Sequence, residues 1–386
     1  MLISRLSLKN WRNFQRAKDI PLRQRQFIVG PNASGKSNLL DVFRFLRDIA
    51  KSDGGGFQKA VKDRGGVSKM RCLAARRDPE IVIDISLSND SDDVEPLWRY
   101  AIGIRQETRG YRQPILSFEK VWKRNKLILN RPDATDKKDE ERLKQTFLEQ
   151  VNTNAAFREI ARYLDSVSYI HLVPQLLRSD AFFQTGALEN DPFGQGFLIR
   201  VAKITPRTQK SRLAKIENAL KIAVPQLQQL KFERDNDTGK PHLAALYSHW
   251  RPNAGWQRED QFSDGTLRLI GLLWALLESD SLLLLEEPEL SLNNAIVAQL
   301  APLIYRLQRQ RKRQVLISTH SESLLSDKGI DGREVLLLTP AKEGTSIDIA
   351  GMIRDVRPLL KAGVSVGEVI LPRSKPPEVE QLELFK

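Results

Sequence analysis

One octapeptide constrains this chain more than any other stretch. Gly30-Pro-Asn-Ala-Ser-Gly35-Lys36-Ser37 fits G-x-x-x-x-G-K-[ST]. A loop can wrap a phosphate with its backbone N–H groups only where the chain comes close, so glycine is needed there. The apolar run Phe27-Ile28-Val29 enters the loop as a strand. Residues 38–49 leave it as a helix with Leu39, Leu40, Phe43 and Leu46 inward. That context sets the positive end of a helix beneath the anion. Lys36 then reaches the β- and γ-phosphates, and the Ser37 hydroxyl binds Mg²⁺.

Two later strands end in groups that suit the same chemistry. Ser281-Leu-Leu-Leu-Leu-Glu286-Glu287-Pro288-Glu289 reads as a buried strand closing on acids. One carboxylate can hold the metal shell and the next can orient the attacking water. Val315-Leu-Ile-Ser-Thr-His320 is a second buried strand, and its terminal histidine suits a γ-phosphate sensor. Upstream, Gln261-Phe262-Ser263-Asp264-Gly265-Thr266 opens an apolar helix. The plain reading is an N-cap on a core helix. The sharper one is a second phosphate-binding helix start, serving a nucleotide held by another protomer.

The strands around these motifs are apolar on both faces and alternate with helices, which predicts a parallel sheet covered on both sides. Leu2, Leu6 and Leu8 alternate with Arg5, Ser7 and Lys9 as a half-buried strand. Strand-like runs between residues 80 and 129 add an antiparallel region. The glycine-rich, charged stretch 51–69 reads as a mobile loop, 136–164 as helix-prone, 209–223 as helix, and 168–173 as a buried strand. Residues 227–233 and 242–250 form a hairpin about Asn236–Gly239, and 294–310 a helix carrying Pro302. The fold class is α/β, a P-loop parallel sheet flanked by helices with an antiparallel β addition and a helical insert. Four divisions follow: 1–130, the nucleotide-binding lobe; 131–225, mainly helical; 226–350, the lobe with the later motifs; 351–386, a C-terminal tail, poorly ordered after Leu371. Leu382, Leu384 and Phe385 offer a docking anchor in that tail.

Taken in order, these residues resemble the ABC-type ATPases, in the branch of RecF, SMC and OLD-like P-loop AAA proteins. Asn10-Trp11-Arg12-Asn13-Phe14 is similar to that branch's early turn near the nucleotide, which implies a contact for Arg12. Gly30 to Ser37, followed by Asn38, matches the Walker A element and implies contacts from Gly30, Asn32, Ser34, Gly35, Lys36, Ser37 and Asn38. Phe262 to Thr266 resembles the ABC signature, with Ser263 and Gly265 placed to touch γ-phosphate across a dimer. Glu286 and Glu287 resemble the Walker B pair: Glu286 for Mg²⁺, Glu287 as the catalytic carboxylate. Leu290 to Asn293 looks like the D-loop and His320 like the switch histidine, while Gln175 stands as Q-loop residue or as a plain surface glutamine. Glu286 departs from the usual Asp, and Asn293 from the expected Asp or His. The insert lacks the heptads of an SMC arm. Many OLD-like ATPases carry a C-terminal TOPRIM nuclease; no Asp-x-Asp follows His320, so the expectation is a stand-alone head without one. The pairs Asp90/Asp92 and Asp235/Asp237 fall in turns, where Asp is favoured for backbone reasons.

Charge and composition bound the partners. Lys and Arg total 61 against 48 Asp and Glu, a net charge of +13 that favours nucleic acid as a partner. Three basic runs stand out: Lys62 to Arg77, Arg200 to Lys215, and Arg306 to Arg313. The longest apolar run, Leu269 to Leu277, is too short for a bilayer. A single cysteine, Cys72, fits a reducing cytosol. The expectation is a cytoplasmic, Mg²⁺-dependent ATPase, closing head-to-tail as a homodimer on two ATP molecules. It would act on DNA or RNA, or restrain a separately encoded effector in genome maintenance or anti-phage defence. A non-hydrolysing, ATP-bound scaffold is the alternative, and a transporter's motor subunit the third reading.

Overall fold

The computed structural model describes residues 1–51, 53–107, 111–178, 191–251 and 255–375. In chain order it opens with β1 (Leu2–Trp11), β2 (Phe14–Pro21), β3 (Arg25–Val29), α1 (Lys36–Ala50), α2 (Phe57–Asp63) and α3 (Val67–Met70). Next come β4 (Ile81–Ser88), β5 (Trp98–Gln106), β6 (Pro114–Lys123), β7 (Lys126–Arg131), α4 (Ala134–Lys138) and α5 (Arg158–Asp165). The middle holds β8 (Ser168–Ile170), α6 (Pro174–Leu177), α7 (Phe197–Lys203), α8 (Pro206–Ala223), β9 (Leu227–Arg234), β10 (Pro241–Tyr247) and β11 (Trp256–Arg258). Then follow α9 (Asp264–Glu278), β12 (Leu283–Glu286), α10 (Asn294–Arg311), β13 (Val315–Ser318) and α11 (Glu322–Leu325). The last elements are β14 (Val335–Ala341), β15 (Gly344–Ile349), α12 (Val356–Lys361) and α13 (Val366–Ile370).

The chain divides into two compact units: residues 1–168, 281–284 and 312–386 form one, and 169–280 with 285–311 the other. In the first unit, a sheet ordered β2-β1-β4-β5-β6-β7 is antiparallel throughout. A second sheet has the order β15-β14-β3-β13-β12-β8. Its β3 is parallel to both β13 and β14, and all five β3 residues are buried, as expected of a strand covered on both faces. Helix α1 packs on β13, α2 and α5. The second unit holds the small sheet β11-β10-β9, with α8 against β9 and α9. The hairpin joining β9 to β10 turns at Gly239 (φ 68°), as its Asn-Asp-Thr-Gly sequence requires.

Three stretches differ from the sequence reading. Residues 51–69 are not one loop: α2 and α3 form there, each entered from a glycine of positive φ (Gly56 102°, Gly66 91°). The Glu149 carboxylate accepts the Phe57 N–H at 2.5 Å, so α2 takes its cap from a residue far along the chain. Residues 136–164 break into short turns and helices. The buried Arg131 guanidinium takes the carbonyls of Arg142 (2.7 Å) and Gln145 (2.9 Å), and Glu119 takes the N–H groups of Phe147 and Leu148, so these backbone groups are diverted from helix. Strand β8 stops at Ile170, because His171 and Val173 donate their N–H groups to Pro192 and Phe193. Leu371–Ser374 forms a 3₁₀ turn, while Leu382, Leu384 and Phe385 lie outside the described residues.

Candidate functional site

The loop between β3 and α1 is shaped by close approach. A Cβ on Gly30 would lie 2.6 Å from the Leu338 carbonyl and 2.7 Å from Ser34 Oγ. Gly35 adopts φ 98° at the start of α1, a left-handed position, and a Cβ there would press on Asn13 at 3.1 Å. The Lys36 ammonium turns back to donate to the carbonyls of Gly30 (3.1 Å) and Pro31 (3.2 Å). No side chain caps α1 and no acid stands in its first turn, so the positive end of its dipole faces the loop uncompensated. Asn32 and Ser37 are exposed, whereas Ser34 is fully buried with no partner for its hydroxyl.

Two braces hold this loop, and neither was singled out from the sequence. Asn13 donates to the Ala33 carbonyl at 3.3 Å and accepts from the Asn38 side chain. Thr345, second in β15, donates its hydroxyl to the Ser34 carbonyl at 2.9 Å, and its N–H reaches the Asn13 carbonyl at 2.7 Å. The early Asn-Trp-Arg-Asn-Phe turn signalled the place of Asn13. Nothing local signalled Thr345, whose role depends on β15 folding back past β2.

Arg12, the residue carried over from that turn, donates instead to Asp41 on α1 at 2.8 Å. Burial acts to raise the Asp41 carboxyl, but the charges and hydrogen bonds of Arg64, then Arg12 and Arg44, outweigh it and hold the group below the usual carboxylate range. His320 follows β13, whose Ser318 lies opposite Ile28 of β3. The Thr319 N–H reaches the Ile28 carbonyl at 3.1 Å, so the histidine emerges at the sheet edge where the glycine loop begins.

In the second unit, Ser263 caps α9: its Oγ accepts the Thr266 N–H at 3.2 Å and contacts the Thr266 hydroxyl at 2.9 Å. Both plain and sharp readings of this helix start remain compatible with one residue. Gly265 stands where a Cβ would come within 2.8 Å of the Ser291 carbonyl, so the turn after the acids packs directly on Gly265. That turn is strained, with φ 43° at Glu287 and 62° at Ser291. Asn293 accepts the Ala295 N–H at 2.9 Å and caps α10, which accounts for an amide at that position. Arg268 reaches the Glu287 carbonyl at 3.4 Å; burial lowers its pKa, with Glu289, Asp264 and Glu287 opposing.

Gln175 lies on α6 and donates to Asp264 at 2.8 Å. Arg178 joins it there, donating to the Asp264 carboxylate at 2.6 Å and to the Phe262 carbonyl at 2.5 Å. Tyr169, on β8, hydrogen-bonds Glu286. The segment 169–178 therefore touches both the first acid and the signature, a link that single-residue motifs do not reveal. Asp90/Asp92 and Asp235/Asp237 are turn residues: the Asp90 carboxylate accepts the Asp92 N–H, and the Asp235 carboxylate accepts the N–H groups of Asp237 and Thr238. Among the described residues no group of three His, Cys, Asp or Glu could hold a metal, and no helix is long and apolar enough to cross a membrane.

Comparison with known proteins agrees with this architecture. The family described as "AAA domain, putative AbiEii toxin, Type IV TA system" matches residues 27–326, and "P-loop containing region of AAA domain" matches 3–46. No curated protein sequence matches the chain. Among solved structures, the SmcHead bound to the C-winged helix domain of ScpA aligns at TM-score 0.53 and 14% identity, over 90% of this chain and 98% of that one. The Smc head domain with a coiled coil and joint from Pyrococcus yayanosii aligns at TM-score 0.50 and 14% identity, over 93% and 99%. At that identity the likeness speaks for the fold alone, an ABC-type head. With its glycine loop, its parallel sheet and a family match spanning most of its length, this chain belongs to the AAA-domain family of P-loop ATPases described as putative AbiEii toxin, Type IV TA system.

Proposed function

We propose that the chain is an ATP-driven switch. Mg-ATP on the loop of one copy meets Ser263 and Gly265 of a second copy, two nucleotides close a head-to-tail dimer, and hydrolysis reopens it. The observation that carries this reading is the build of the loop itself: an uncapped helix start, Lys36 across its carbonyls, and braces from Asn13 and Thr345. In this scheme Gly30, Asn32, Ser34, Gly35 and Asn38 shape the nucleotide cradle, and Lys36 and Ser37 take phosphate and metal. Glu286 supports the metal shell, Glu287 orients water and His320 holds the γ-phosphate. Arg12 would have to leave Asp41, and Gln175 would have to leave Asp264, to join them.

The residues present fit Mg²⁺. Ser37 and Glu286 offer hard oxygen donors, and Mg²⁺ is commonly held by one or two carboxylates plus substrate phosphates rather than by an all-protein cage. The switch would act on nucleic acid or on a separately encoded effector, in the cytoplasm, as part of genome maintenance or defence.

A Glu287→Gln variant tests the scheme. It is expected to bind ATP as the parent does, lose phosphate release by at least about 100-fold, and accumulate as an ATP-dependent dimer in light scattering. Turnover at the parental rate would overturn the assignment of Glu287. A persistent monomer that hydrolyses normally would overturn the shared pocket.

A further inference from the structure

Three basic runs in the sequence are treated differently by the fold. In the first, Arg64 is buried against Asp41 and Asp48, Arg76 pairs with Glu343, and the acids Asp63 and Asp78 intervene. In the third, Arg313 is buried on the Ser281 carbonyl, Arg311 pairs with Asp280, and Arg309 bonds the Tyr305 hydroxyl. The second loses Arg200 to Asp191 and Glu278, and Arg212 to the Glu278 carbonyl. Lys203, Arg207, Lys210 and Lys215 remain, all exposed and without an ion-pair partner among the described residues.

All four are exposed, Lys203 ending α7 and the other three on α8. Leu213, Ile216 and Leu220 make the buried stripe of α8; at about 100° per residue Arg207 and Lys215 lie on the opposite side and Lys210 on its flank. The one acid of α8, Glu217, is engaged by Lys221 and the Leu230 N–H. Arg207 sits in the first helical turn, which has no acid and no side-chain cap. Cations there oppose the helix dipole, a placement that an ordinary solvated face does not require.

The chemistry selects the occupant. The face is cationic without an intervening acid, so it calls for a polyanion. Helix α8 has no aromatic residue, so it offers no stacking platform for single strands. From Arg207 to Lys215 the helix rises about 12 Å, along which a DNA duplex carries about seven phosphates. The major groove of B-form DNA admits a helix, whereas that of A-form RNA does not. We infer that the exposed face of α8, with Lys203, docks the phosphate backbone of duplex DNA. This deepens the proposed switch by naming its polymer and the surface that meets it, and it rests on that reading only for a link to ATP.

The test is fluorescence anisotropy of the full chain with a labelled B-DNA duplex across a KCl series. A variant carrying K203Q, R207Q, K210Q and K215Q is compared with a charge-matched control carrying K62Q, K69Q, R77Q and R306Q. The α8 variant should bind at least tenfold more weakly, with its slope of log affinity against log salt shallower by about 3 to 4. The control should stay within twofold of the parent. Single R207Q and K210Q variants, whose folding is confirmed by thermal melts, should each reduce the slope by about 1. No binding by the parent, equal losses in both quadruple variants, or equal α8-dependent binding of an RNA duplex would overturn the proposal. Basal phosphate release should be unchanged in the α8 variant, and Glu287→Gln should still bind DNA, so docking and turnover fail separately.

Discussion

Glu149 and Asp41 show how one side chain's surroundings can reverse its dependence on pH. Glu149 accepts the N–H groups of Phe57 and Thr146, yet burial raises its carboxyl to about 7, with the Glu119 charge adding to the rise. The folded chain therefore holds a proton that the unfolded chain has released. The associated stability is complete below the ordinary carboxyl value of 4.5 and is lost as pH rises through about 7. Its size is roughly 2–4 kcal/mol. Asp41 has the opposite sign: its lowered carboxyl contributes above 3.8, and that contribution goes as acid protonates it. Glu149→Gln should flatten the fall in Tm between pH 5 and 8 relative to the parent. Parallel melting curves for the two proteins would remove Glu149 from the account.

Among the elements, β15 has the clearest consequence for the glycine loop. Its Thr345 hydroxyl satisfies the Ser34 carbonyl in a buried setting, and the preceding residue is a glycine, Gly344, with φ 109° and no room for a Cβ, which would sit 2.6 Å from the Asn13 carbonyl. Thr345→Val keeps the β-branched shape but leaves that carbonyl without its donor, at a cost of about 1–3 kcal/mol. If the loop is the nucleotide site, ATP affinity in a titration should fall roughly 5- to 100-fold, with only a small loss of secondary structure. Parental affinity would show that the brace does not shape the loop. Strand β15 was not legible in the sequence because Gly-Thr-Ser-Ile-Asp-Ile has little apolar content, and its place comes from pairing with β14. By contrast β3, β12 and β13 were legible, since strands buried on both faces must be apolar throughout. The same contrast holds in the site. The glycine loop and the acids after β12 declare themselves locally. Asn13, Thr345, Tyr169 and Arg178 acquire meaning only from residues distant in the chain. The stretch 136–164 forms less helix than its propensity suggests for a related reason: the buried Arg131 and Glu119 capture its backbone groups inside the core.

At the scale of the whole molecule, the chain passes between its two units four times, so neither unit is a continuous segment. Strand β3, which leads into the glycine loop, has both parallel neighbours in the last part of the chain, β13 and β14. The join is sealed by buried polar groups. Gln314 donates to the Ile3 carbonyl at 2.8 Å and accepts the Ile3 N–H at 2.9 Å. Arg25, 1% exposed, pairs with Glu334 at 2.8 Å. A fragment ending at residue 311 would take the Glu334 carboxylate from the buried Arg25 and bare both edges of β3, each row of orphaned N–H and C=O groups being costly. Loop closure over such separations yields little until the late strands arrive, which makes folding slow and the truncated chain prone to associate. The 1–311 fragment should therefore lack a cooperative thermal transition and fail to bind nucleotide, although it retains Gly30 to Ser37 whole. Co-expression with residues 312–386 should restore both properties. A fragment that melts cooperatively at the parental Tm on its own would mean that β3 does not depend on its late partners, and that the glycine loop is built by the N-terminal segment alone.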